Sequence, residues 1–467
     1  MLNYGLQYGE KGLQTGAGLF KTQKDEELTA LLNSLEAKNP KANELLTSYE
    51  PHGILFGKQY NKYVINPESM DGHVMVIGGP GTGKSACIAI PTLIHWRGAV
   101  FAIDIKGELY AHTRQRRQNI KVFAPQDPKN RYGYDPYFFL KHSDNPAAEA
   151  RAIAQATIPL PPDIKDTFWI ESAQTILTSA ILHYQALGFS FIETLEKILD
   201  HRARILFEIL ADSPNIKAAR CVRNYVGMDD KTIMSIFPHL SNAIEAIVNN
   251  DALAAALSQK EVITPQDLEN GQDVYIQIPE HLLSQWKTLT ALIVNQFMTF
   301  FERRPEDDRN NPQSGENRPI LVMLDEFPRI GKVPKIIDGL ATLRSKKITI
   351  CLVAQSLAQL ELIYGATARK VIADTCAFKA VLGATDAETQ KYFSDLVGAY
   401  EKIRNQTTQN YGSILGVPSG SSTQRSTEDG KPIIRPEELA ALPDILLLYP
   451  LPQNFCKVQK QPYYQEK

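Results

Sequence analysis

The residues best suited to chemistry form a glycine-rich loop in the early part of the chain. The stretch from Gly78 to Ser85 reads G-G-P-G-T-G-K-S and fits the pattern G-x-x-x-x-G-K-[ST]. Glycines allow consecutive backbone N–H groups to converge on one anion, and the positive end of a following helix adds to that attraction. The pattern therefore predicts a cradle for the phosphates of a nucleotide. Its residues are Gly78, Gly79, Pro80, Gly81, Thr82, Gly83, Lys84 and Ser85.

Two side chains of this loop have distinct expected tasks. Lys84 would reach the β- and γ-phosphates, and the Ser85 hydroxyl would ligate Mg²⁺. The alternative interpretation is a glycine-rich turn that matches the pattern by chance. The flanking sequence favours the phosphate loop, because the apolar run 73–77 is typical of a buried strand and 85–90 is typical of the first turns of a helix.

A pair of carboxylates, Asp325 and Glu326, directly follows a second apolar run at 319–324. A buried strand that ends in two acidic residues can deliver one carboxylate to a metal ion and the other to a water molecule. We expect Asp325 to hold Mg²⁺ through its water shell and Glu326 to polarise the attacking water. Taken alone, Asp-Glu after a strand is typical of a solvated loop, but the phosphate loop upstream favours catalysis.

Four further positions are candidates supported by less specific patterns. Gln355 ends an apolar run and would hydrogen-bond the γ-phosphate or the water, unless it is an ordinary polar residue at a strand end. Arg344 stands in a basic cluster that is either a surface feature or an arginine finger presented to a neighbouring subunit. Asp104 directly follows the apolar run 99–103, and Asp104 and Lys106 would either support the phosphate site or pair with each other.

The alternation of apolar runs with helical patterns predicts an α/β fold built on a mainly parallel sheet. In such a sheet the carboxyl ends of the strands meet at one edge, which would bring the phosphate loop, Asp104 and Asp325 together. Lys84 and Asp325 are 325 − 84 = 241 positions apart. A separation that large is what an inserted domain produces.

The middle of the chain has the character of such an insertion. Between about 140 and 262, strand-like runs give way to helical patterns, including an apolar stripe between Phe168 and Tyr184. The polar stretch 401–432, rich in Asn, Gln, Ser, Thr and Gly, is predicted to be a flexible loop. The predicted divisions are an N-terminal extension (1–50), a discontinuous nucleotide-binding domain (51–140 and 263–467) and an inserted all-α domain (141–262).

The bulk composition is that of an ordinary soluble globular protein, with 43% hydrophobic residues, 22% charged residues and a net charge of −2. This charge excludes a global attraction to nucleic acid or to an anionic membrane, so any such contact needs a local patch. The five cysteines never fall in C-x-x-C spacing, which argues against a disulfide framework or a zinc site. No window approaches the roughly 18–20 continuous apolar residues of a transmembrane helix.

Taken together, several stretches resemble the type IV coupling proteins of the VirD4/TraG family, within the FtsK/HerA-like group of RecA-type ATPases. The resemblance extends from about residue 50 to the end of the chain, and the order and spacing of the stretches make it specific. The matching stretches are 73–85, 99–117 with the core Asp-x-Lys-Gly-Glu-Leu, Phe168-Trp169, Leu324 to Phe327, Ala354-Gln355-Ser356, Arg435 to Leu439 and Tyr463-Tyr464.

The resemblance implies a RecA-like P-loop NTPase domain, an inserted all-α domain that contacts substrate, and a homo-oligomer in the form of a hexameric ring. It implies ATP and Mg²⁺ as cofactors, Arg344 as a finger acting on the next subunit, and Gln355 as a nucleotide sensor. Such proteins couple ATP hydrolysis to delivery of substrates to a type IV secretion channel. The implied partners are the channel ATPases and inner-membrane components, and a DNA–relaxase complex or protein effectors.

The chain also departs from the family pattern. Family members usually carry transmembrane helices before the motor, and the chain has none. We therefore expect either a cytosolic fragment or a cytoplasmic member that lies at the inner face of the cell membrane. The segment from Gly16 to Phe20 only loosely resembles the Gly-Ser-Ala-Arg-Trp segment that often follows those helices, and Ile105 stands where the family commonly has proline in Asp-Pro-Lys-Gly-Glu.

Three functions are consistent with these residues. The leading prediction is a motor ATPase that energises transfer of DNA and/or protein substrates through a type IV secretion system, as in conjugation. The second is a docking receptor whose nucleotide site controls assembly without motor activity. The third is a DNA translocase of the FtsK/HerA kind, whose ATPase activity DNA should stimulate at low salt, because phosphate contacts dominate such binding.

Overall fold

The computed structural model describes residues 38–127, 129–161, 165–307, 317–410, 420–451 and 454–465. The chain divides into two compact units. The larger unit comprises Ala42–Phe393 and Pro436–Lys467, and it holds every candidate site residue. The segment Ser394–Arg435 belongs to the smaller unit.

The first strands of the larger unit form a small antiparallel sheet. They are β1 (Thr47–Ser48), β2 (Ile54–Gln59) and β3 (Lys62–Asn66), and β3 is the central one. These strands precede the phosphate loop in the chain, and they do not belong to the main sheet. Residues 47–48 lie within the predicted N-terminal extension, yet they pair with β3 of the segment assigned to the nucleotide-binding domain.

A nine-stranded sheet forms the core of the larger unit. Its strands are β4 (Val74–Gly78), β5 (Ala99–Asp104), β6 (Ile120–Phe123), β7 (Asp273–Gln277), β8 (Ile320–Leu324), β9 (Ile348–Ala354), β10 (Phe378–Gly383), β13 (Ile445–Leu448) and β14 (Phe455–Val458). Their order is β14-β13-β10-β4-β9-β8-β5-β7-β6. The run from β10 to β6 is parallel, and β13 and β14 add antiparallel strands at one side.

The central strands form because their sequences are continuous apolar runs. Every residue of β4, β5 and β8 is buried, as expected for a parallel sheet covered on both faces. The predicted α/β fold with a mainly parallel sheet is confirmed by these strands and by their register.

Helices connect and cover these strands. In chain order they are α1 (Ile90–His95), α2 (Glu108–Thr113), α3 (Phe138–Lys141), α4 (Pro146–Thr157), α5 (Phe168–Ala186), α6 (Phe191–Asp200), α7 (Ala203–Ala211), α8 (Ile216–Val222), α9 (Asp230–Val248), α10 (Asp251–Leu257), α11 (Pro265–Glu269), α12 (Leu283–Glu302), α13 (Pro334–Thr342), α14 (Leu357–Tyr364), α15 (Ala366–Thr375) and α16 (Ala387–Val397).

Between α3 and α10 the described residues form helices joined by turns and loops, with no strand among them. The predicted apolar stripe on α5 underestimates its burial, because the polar side chains Ser172, Gln174 and Ser179 are buried along with the apolar ones. From Ser172 to Tyr184, α5 is therefore buried on most of its surface, whereas Phe168 and Glu171 in its first turn are exposed. A capping box of Ser190 with Glu193 opens α6. The division of the chain into domains stays a prediction.

The polar stretch 401–432 contradicts its prediction as a flexible loop. The strands β11 (Ala399–Asn410) and β12 (Gly420–Pro432) run through it and pair antiparallel. Two strands can pair through backbone hydrogen bonds alone, without the alternation of apolar and polar residues that reveals a strand in sequence. Residues 411–419 lie outside the described part of the chain.

A buried histidine links two strands of the sheet at its amino edge. His73 directly precedes β4, and its Nδ1 accepts a hydrogen bond from the backbone N–H of Ile350 on β9, 3.0 Å away. Burial lowers the pKa of His73 to about 4, and the positive charge of Arg344 acts in the same direction. The folded protein therefore holds this imidazole neutral.

This neutral histidine predicts a loss of stability in acid. Between pH 6.5 and about 4 the unfolded chain binds a proton at His73 and the folded chain does not. The free energy of unfolding should therefore fall by about 3 kcal/mol across that window from this group alone. Urea unfolding of the wild type and of His73→Asn, each at pH 7 and pH 4, measures the effect. The variant should lose less stability between the two pH values, and equal losses would contradict the assignment.

Candidate nucleotide-binding site

Four neighbouring strands end at one edge of the sheet and carry the predicted site residues there. The strands β4, β9, β8 and β5 are adjacent and parallel in this order. Their carboxyl ends lead into the phosphate loop, Gln355, Asp325 and Asp104 respectively. Lys84 and Asp325 are 325 − 84 = 241 positions apart in the sequence. They lie at the same edge of the sheet because parallel strands point the same way.

Glycines give the phosphate loop its conformation. Gly81 and Gly83 have φ angles of 73° and 96°, in the left-handed region that side chains disfavour. At Gly78 a Cβ atom would lie 2.5 Å from the Thr82 hydroxyl oxygen, so a side chain there would displace the loop. The same hydroxyl donates a hydrogen bond to the carbonyl of Gly79 at 2.8 Å, which closes the turn.

A neighbouring strand holds the start of the loop, and a helix directly follows its end. The backbone N–H of Gly79 donates to the carbonyl of Gly383 on β10 at 3.0 Å. Pro80 lies at the exposed tip. After the loop, Ser85–Ala89 forms one turn of π-helix that continues into α1, so the predicted helix is present with a wider first turn. Such π-turns are frequent at functional sites.

Lys84 folds back over the loop. Its ammonium group donates hydrogen bonds to the carbonyls of Gly78 at 2.6 Å and Gly79 at 3.1 Å. Burial lowers the pKa of Lys84, while the carboxylates of Glu326 and Asp325 oppose that shift. The amine thus lies within the phosphate loop and within the field of the acidic pair.

Asp325 is a buried carboxyl with one free oxygen. Its Oδ1 accepts no hydrogen bond from any group in the described part of the chain. Burial raises its pKa to about 7, and the charges of Glu326 and Asp104 add to the shift while Lys84 opposes it. A buried oxygen without a protein donor suits a hard cation, so the residues fit Mg²⁺. Asp325 and the Ser85 hydroxyl are the groups that would hold it.

The raised pKa of Asp325 predicts that Mg²⁺ binding weakens in acid. Below about pH 7 the carboxyl is protonated, and Mg²⁺ must displace that proton to bind. Mg²⁺ affinity should fall by up to about tenfold per pH unit below 7 and level off above it.

Mg²⁺-dependent binding of a fluorescent ADP analogue at pH 6, 7 and 8 measures this dependence. The Asp325→Asn variant is the matched control. Protonation of the nucleotide's phosphates affects Mg²⁺ binding in both proteins, whereas protonation of the Asp325 carboxyl affects it only in the wild type. Parallel pH profiles for the two proteins would contradict the prediction.

Glu326 is buried and held in an unusual backbone conformation. Its φ of 52° and ψ of 40° are left-handed, which costs a residue with a side chain about 1–3 kcal/mol. The amide Nε2 of Gln355 donates to its Oε2 at 3.0 Å, and the Lys106 ammonium lies 3.8 Å from its Oε1. The alternative of a solvated loop pair is therefore wrong, because Asp325 and Glu326 are only 4% and 6% exposed.

Asp104 anchors the start of α2. Its two carboxylate oxygens accept the backbone N–H groups of Leu109 at 3.2 Å and Tyr110 at 2.9 Å. The predicted alternative, a pair with Lys106, is not formed, since the Lys106 ammonium lies beside Glu326 instead. A role for Asp104 at the nucleotide stays a prediction. The hydrogen bonds that Asp104 accepts position the loop that carries Lys106.

Arg344 is the one predicted catalytic residue that the structure does not bring to this edge. It opens a 3-10 helix, Arg344–Lys346, that precedes β9, and its side chain is exposed. Because β9 leads away from it toward Gln355, Arg344 lies at the amino edge, opposite the phosphate loop of its own chain. It therefore lies away from the phosphate loop of its own chain, and its role as an arginine finger stays a prediction.

Contacts from the end of the chain were not predicted. The Lys460 ammonium donates to the carbonyl of Leu382, next to the residue that holds the phosphate loop, at 3.3 Å. The Tyr463 hydroxyl lies 3.1 Å from Nε2 of His112 on α2. The latter pair is 351 positions apart, and no local pattern in the sequence indicates it.

The fold and site define the class of protein: an α/β nucleotide-binding protein of the RecA-like P-loop type. The model of the family described as "Type IV secretory system Conjugative DNA transfer" matches residues 21–467, and the chain belongs to that family. The predicted resemblance to coupling proteins is thereby confirmed.

Characterised relatives agree with this assignment. Protein VirD4 of Agrobacterium fabrum (strain C58 / ATCC 33970) is 24% identical over 434 residues, which cover 89% of this chain and 62% of the relative. Conjugal transfer protein TraG of Escherichia coli is 23% identical over 398 residues, covering 79% and 62% respectively. The chain thus spans less than two thirds of the length of these relatives.

Solved structures share the fold. The bacterial conjugative coupling protein TrwBdeltaN70 superposes with a TM-score of 0.65 at 18% identity, over 84% of this chain and 86% of that one. TrwB in complex with ADP and Mg²⁺ superposes with a TM-score of 0.61 at 18% identity, over 84% of this chain and 85% of that one.

Within the described residues no single helix is both long and apolar enough to cross a membrane. The helices Phe168–Ala186 and Phe191–Asp200, which are bent by 117° relative to each other, reach that length and apolar character only when they are taken together.

Proposed function

We propose that this chain is the ATPase motor of a type IV secretion coupling protein, which recruits DNA and/or protein substrates and energises their transfer. The observation that carries this proposal is the meeting of Lys84, Asp325 and Glu326 at one sheet edge in a member of the conjugative DNA transfer family. The structures of TrwB with ADP and Mg²⁺ and with an ATP analogue support ATP and Mg²⁺ as ligands here.

The residues at the edge divide the work of phosphoryl transfer. The phosphate loop and Lys84 bind the phosphates, and Ser85 and Asp325 would hold Mg²⁺, which neutralises charge on the β- and γ-phosphates. Glu326 orients and polarises the attacking water, and Gln355 fixes the Glu326 carboxylate by the hydrogen bond described above. Arg344 of one subunit would stabilise the transition state in the next, so hydrolysis needs an assembled ring.

The rest of the chain serves this motor in the proposal. The helical segment 141–262 is an inserted domain that contacts substrate, and the nucleotide-binding domain is formed by 51–140 and 263–467. The assembly is a hexamer that lies at the inner face of the cell membrane. Its partners are the secretion-channel ATPases, inner-membrane components, and a DNA–relaxase complex or protein effectors.

The ATPase rate as a function of protein concentration, with and without single-stranded DNA at low salt, tests this function. A motor with a trans-acting arginine should show a specific activity that rises with concentration, and Lys84→Ala should abolish it at every concentration. Activity that does not depend on assembly would contradict the ring mechanism. Absence of hydrolysis in a fully assembled sample would instead favour the docking receptor.

A further inference from the structure

The carboxylate of Glu326 is held from two sides by groups of different character. On one oxygen, the neutral amide of Gln355 donates a hydrogen bond at 3.0 Å. The other oxygen faces the Lys106 ammonium at 3.8 Å, a distance at the limit of an ion pair. A carboxylate oxygen that faces a lysine ammonium has that oxygen engaged and not free to accept a proton from water, so the Lys106 contact opposes the proposed role of Glu326.

The backbone of Lys106 is fixed in place, whereas its side chain is partly exposed to solvent. Its side chain is 44% exposed, whereas that of Glu326 is 8% exposed. The preceding Ile105 is buried, and the following Gly107 takes a left-handed φ of 73° that leads into α2, whose first turn is fixed by Asp104. The side chain can therefore move while its attachment point stays in place.

The Lys106 ammonium also lies within the field of the phosphate site. Its charge acts on both Lys84 and Asp325, the residues proposed to bind the triphosphate and its metal. A terminal phosphate bound between them would carry more negative charge than one carboxylate and would compete for the same cation. A diphosphate would leave that place empty and would not compete.

We propose that Lys106 is a switch that releases Glu326 only when a triphosphate is bound. Before binding, Lys106 pairs with Glu326 and suppresses its action on water. When the γ-phosphate enters, the ammonium moves to it, stabilises the charge that develops there, and leaves Glu326 held by Gln355 alone. After hydrolysis the pair with Glu326 forms again. The inference rests on the proposed ATPase function and identifies Lys106 as a further residue of that reaction.

A purely structural role for Lys106 predicts something different. An ion pair with one partner half-exposed contributes at most about 1 kcal/mol to stability, so removing it should leave the protein folded. Lys141 offers a matched control, since its side chain is 48% exposed and its ammonium pairs with Asp135 at 2.7 Å away from the site. Both alanine variants should retain the wild-type unfolding temperature within a few degrees.

The test compares Lys106→Ala, Lys106→Arg and Lys141→Ala in single-turnover hydrolysis of ATP and in binding of ADP and of a non-hydrolysable ATP analogue. Lys106→Ala should slow hydrolysis at least about tenfold and weaken the ATP analogue by several-fold, with ADP affinity unchanged. Lys106→Arg should recover part of the hydrolysis rate and part of the affinity for the ATP analogue, and Lys141→Ala should match the wild type in both measurements. Unchanged hydrolysis, or an equal loss of ADP and ATP-analogue affinity, would overturn the proposal.

A double variant separates this proposal from the function on which it rests. Glu326→Gln removes the charge that competes for Lys106, so it should tighten binding of the ATP analogue, and adding Lys106→Ala should remove that gain. This binding cycle needs no turnover. If the wild type does not hydrolyse ATP, the proposed ATPase function fails, but the binding measurements still test the role of Lys106. Additive effects of the two substitutions on binding of the ATP analogue would refute the switch.

Discussion

Replacing Glu326 by glutamine is expected to slow ATP hydrolysis by about 10²–10⁴-fold while ATP still binds. The substitution keeps the shape of the side chain and its contact with Gln355, but an amide cannot polarise water as a carboxylate does. Single-turnover hydrolysis and equilibrium binding of ATP measure the two effects separately. The variant should bind ATP at least as tightly as the wild type.

The control for this substitution is Glu302→Gln. Glu302 also pairs with a lysine, Lys335 at 2.8 Å, but it lies on α12 away from the phosphate loop. The Glu302→Gln variant should hydrolyse ATP at the wild-type rate. Normal hydrolysis by Glu326→Gln would assign the water-polarising role to another group and would remove the proposed mechanism at its centre.

Mixing two inactive variants is expected to restore activity if Arg344 acts between subunits. Arg344→Ala should lower kcat by about 10³-fold or more, as expected for loss of an arginine finger, and Lys84→Ala should be inactive in its own phosphate loop. In an equimolar mixture, an intact loop of one variant meets an intact arginine of the other at about a quarter of the interfaces of a symmetric ring. The mixture should therefore reach about a quarter of the wild-type rate.

The steady-state ATPase rate of the mixture, after co-assembly and at fixed total protein, is the measurement. The exposed Lys370 provides a control, since Lys370→Ala alone should match the wild type. A mixture no more active than the average of its components would place Arg344 outside the reaction, and full activity of Arg344→Ala alone would do the same.

The parts of the fold that follow from local sequence could be predicted, and the parts that depend on distant contacts could not. Strands β4, β5 and β8 are apolar runs buried on both faces, so their pattern is plain in the sequence. The burial of polar residues on α5 depends on the helices packed around it, and the pairing of β11 with β12 has no apolar face to reveal it.

The same distinction applies to the site. The phosphate loop and the acidic pair are each contiguous in sequence, and the parallel sheet brings them to one edge. The sequence pattern predicts that Lys106 either supports the phosphate site or pairs with nearby Asp104, but it does not indicate Glu326, which is 326 − 106 = 220 positions away and lies beside the Lys106 ammonium. The left-handed backbone that turns Glu326 toward Lys106 and Gln355 has no signal in the sequence, because glutamate rarely adopts it.

A crystal structure of the assembled protein with Mg²⁺ and a non-hydrolysable ATP analogue tests the central claim most directly. We expect the β- and γ-phosphates against the backbone of the phosphate loop, one Mg²⁺ ion between Ser85 and Asp325, and a water molecule beside Glu326 in line with the γ-phosphate. A triphosphate bound elsewhere, or a metal ion that neither Ser85 nor Asp325 approaches, would contradict the account.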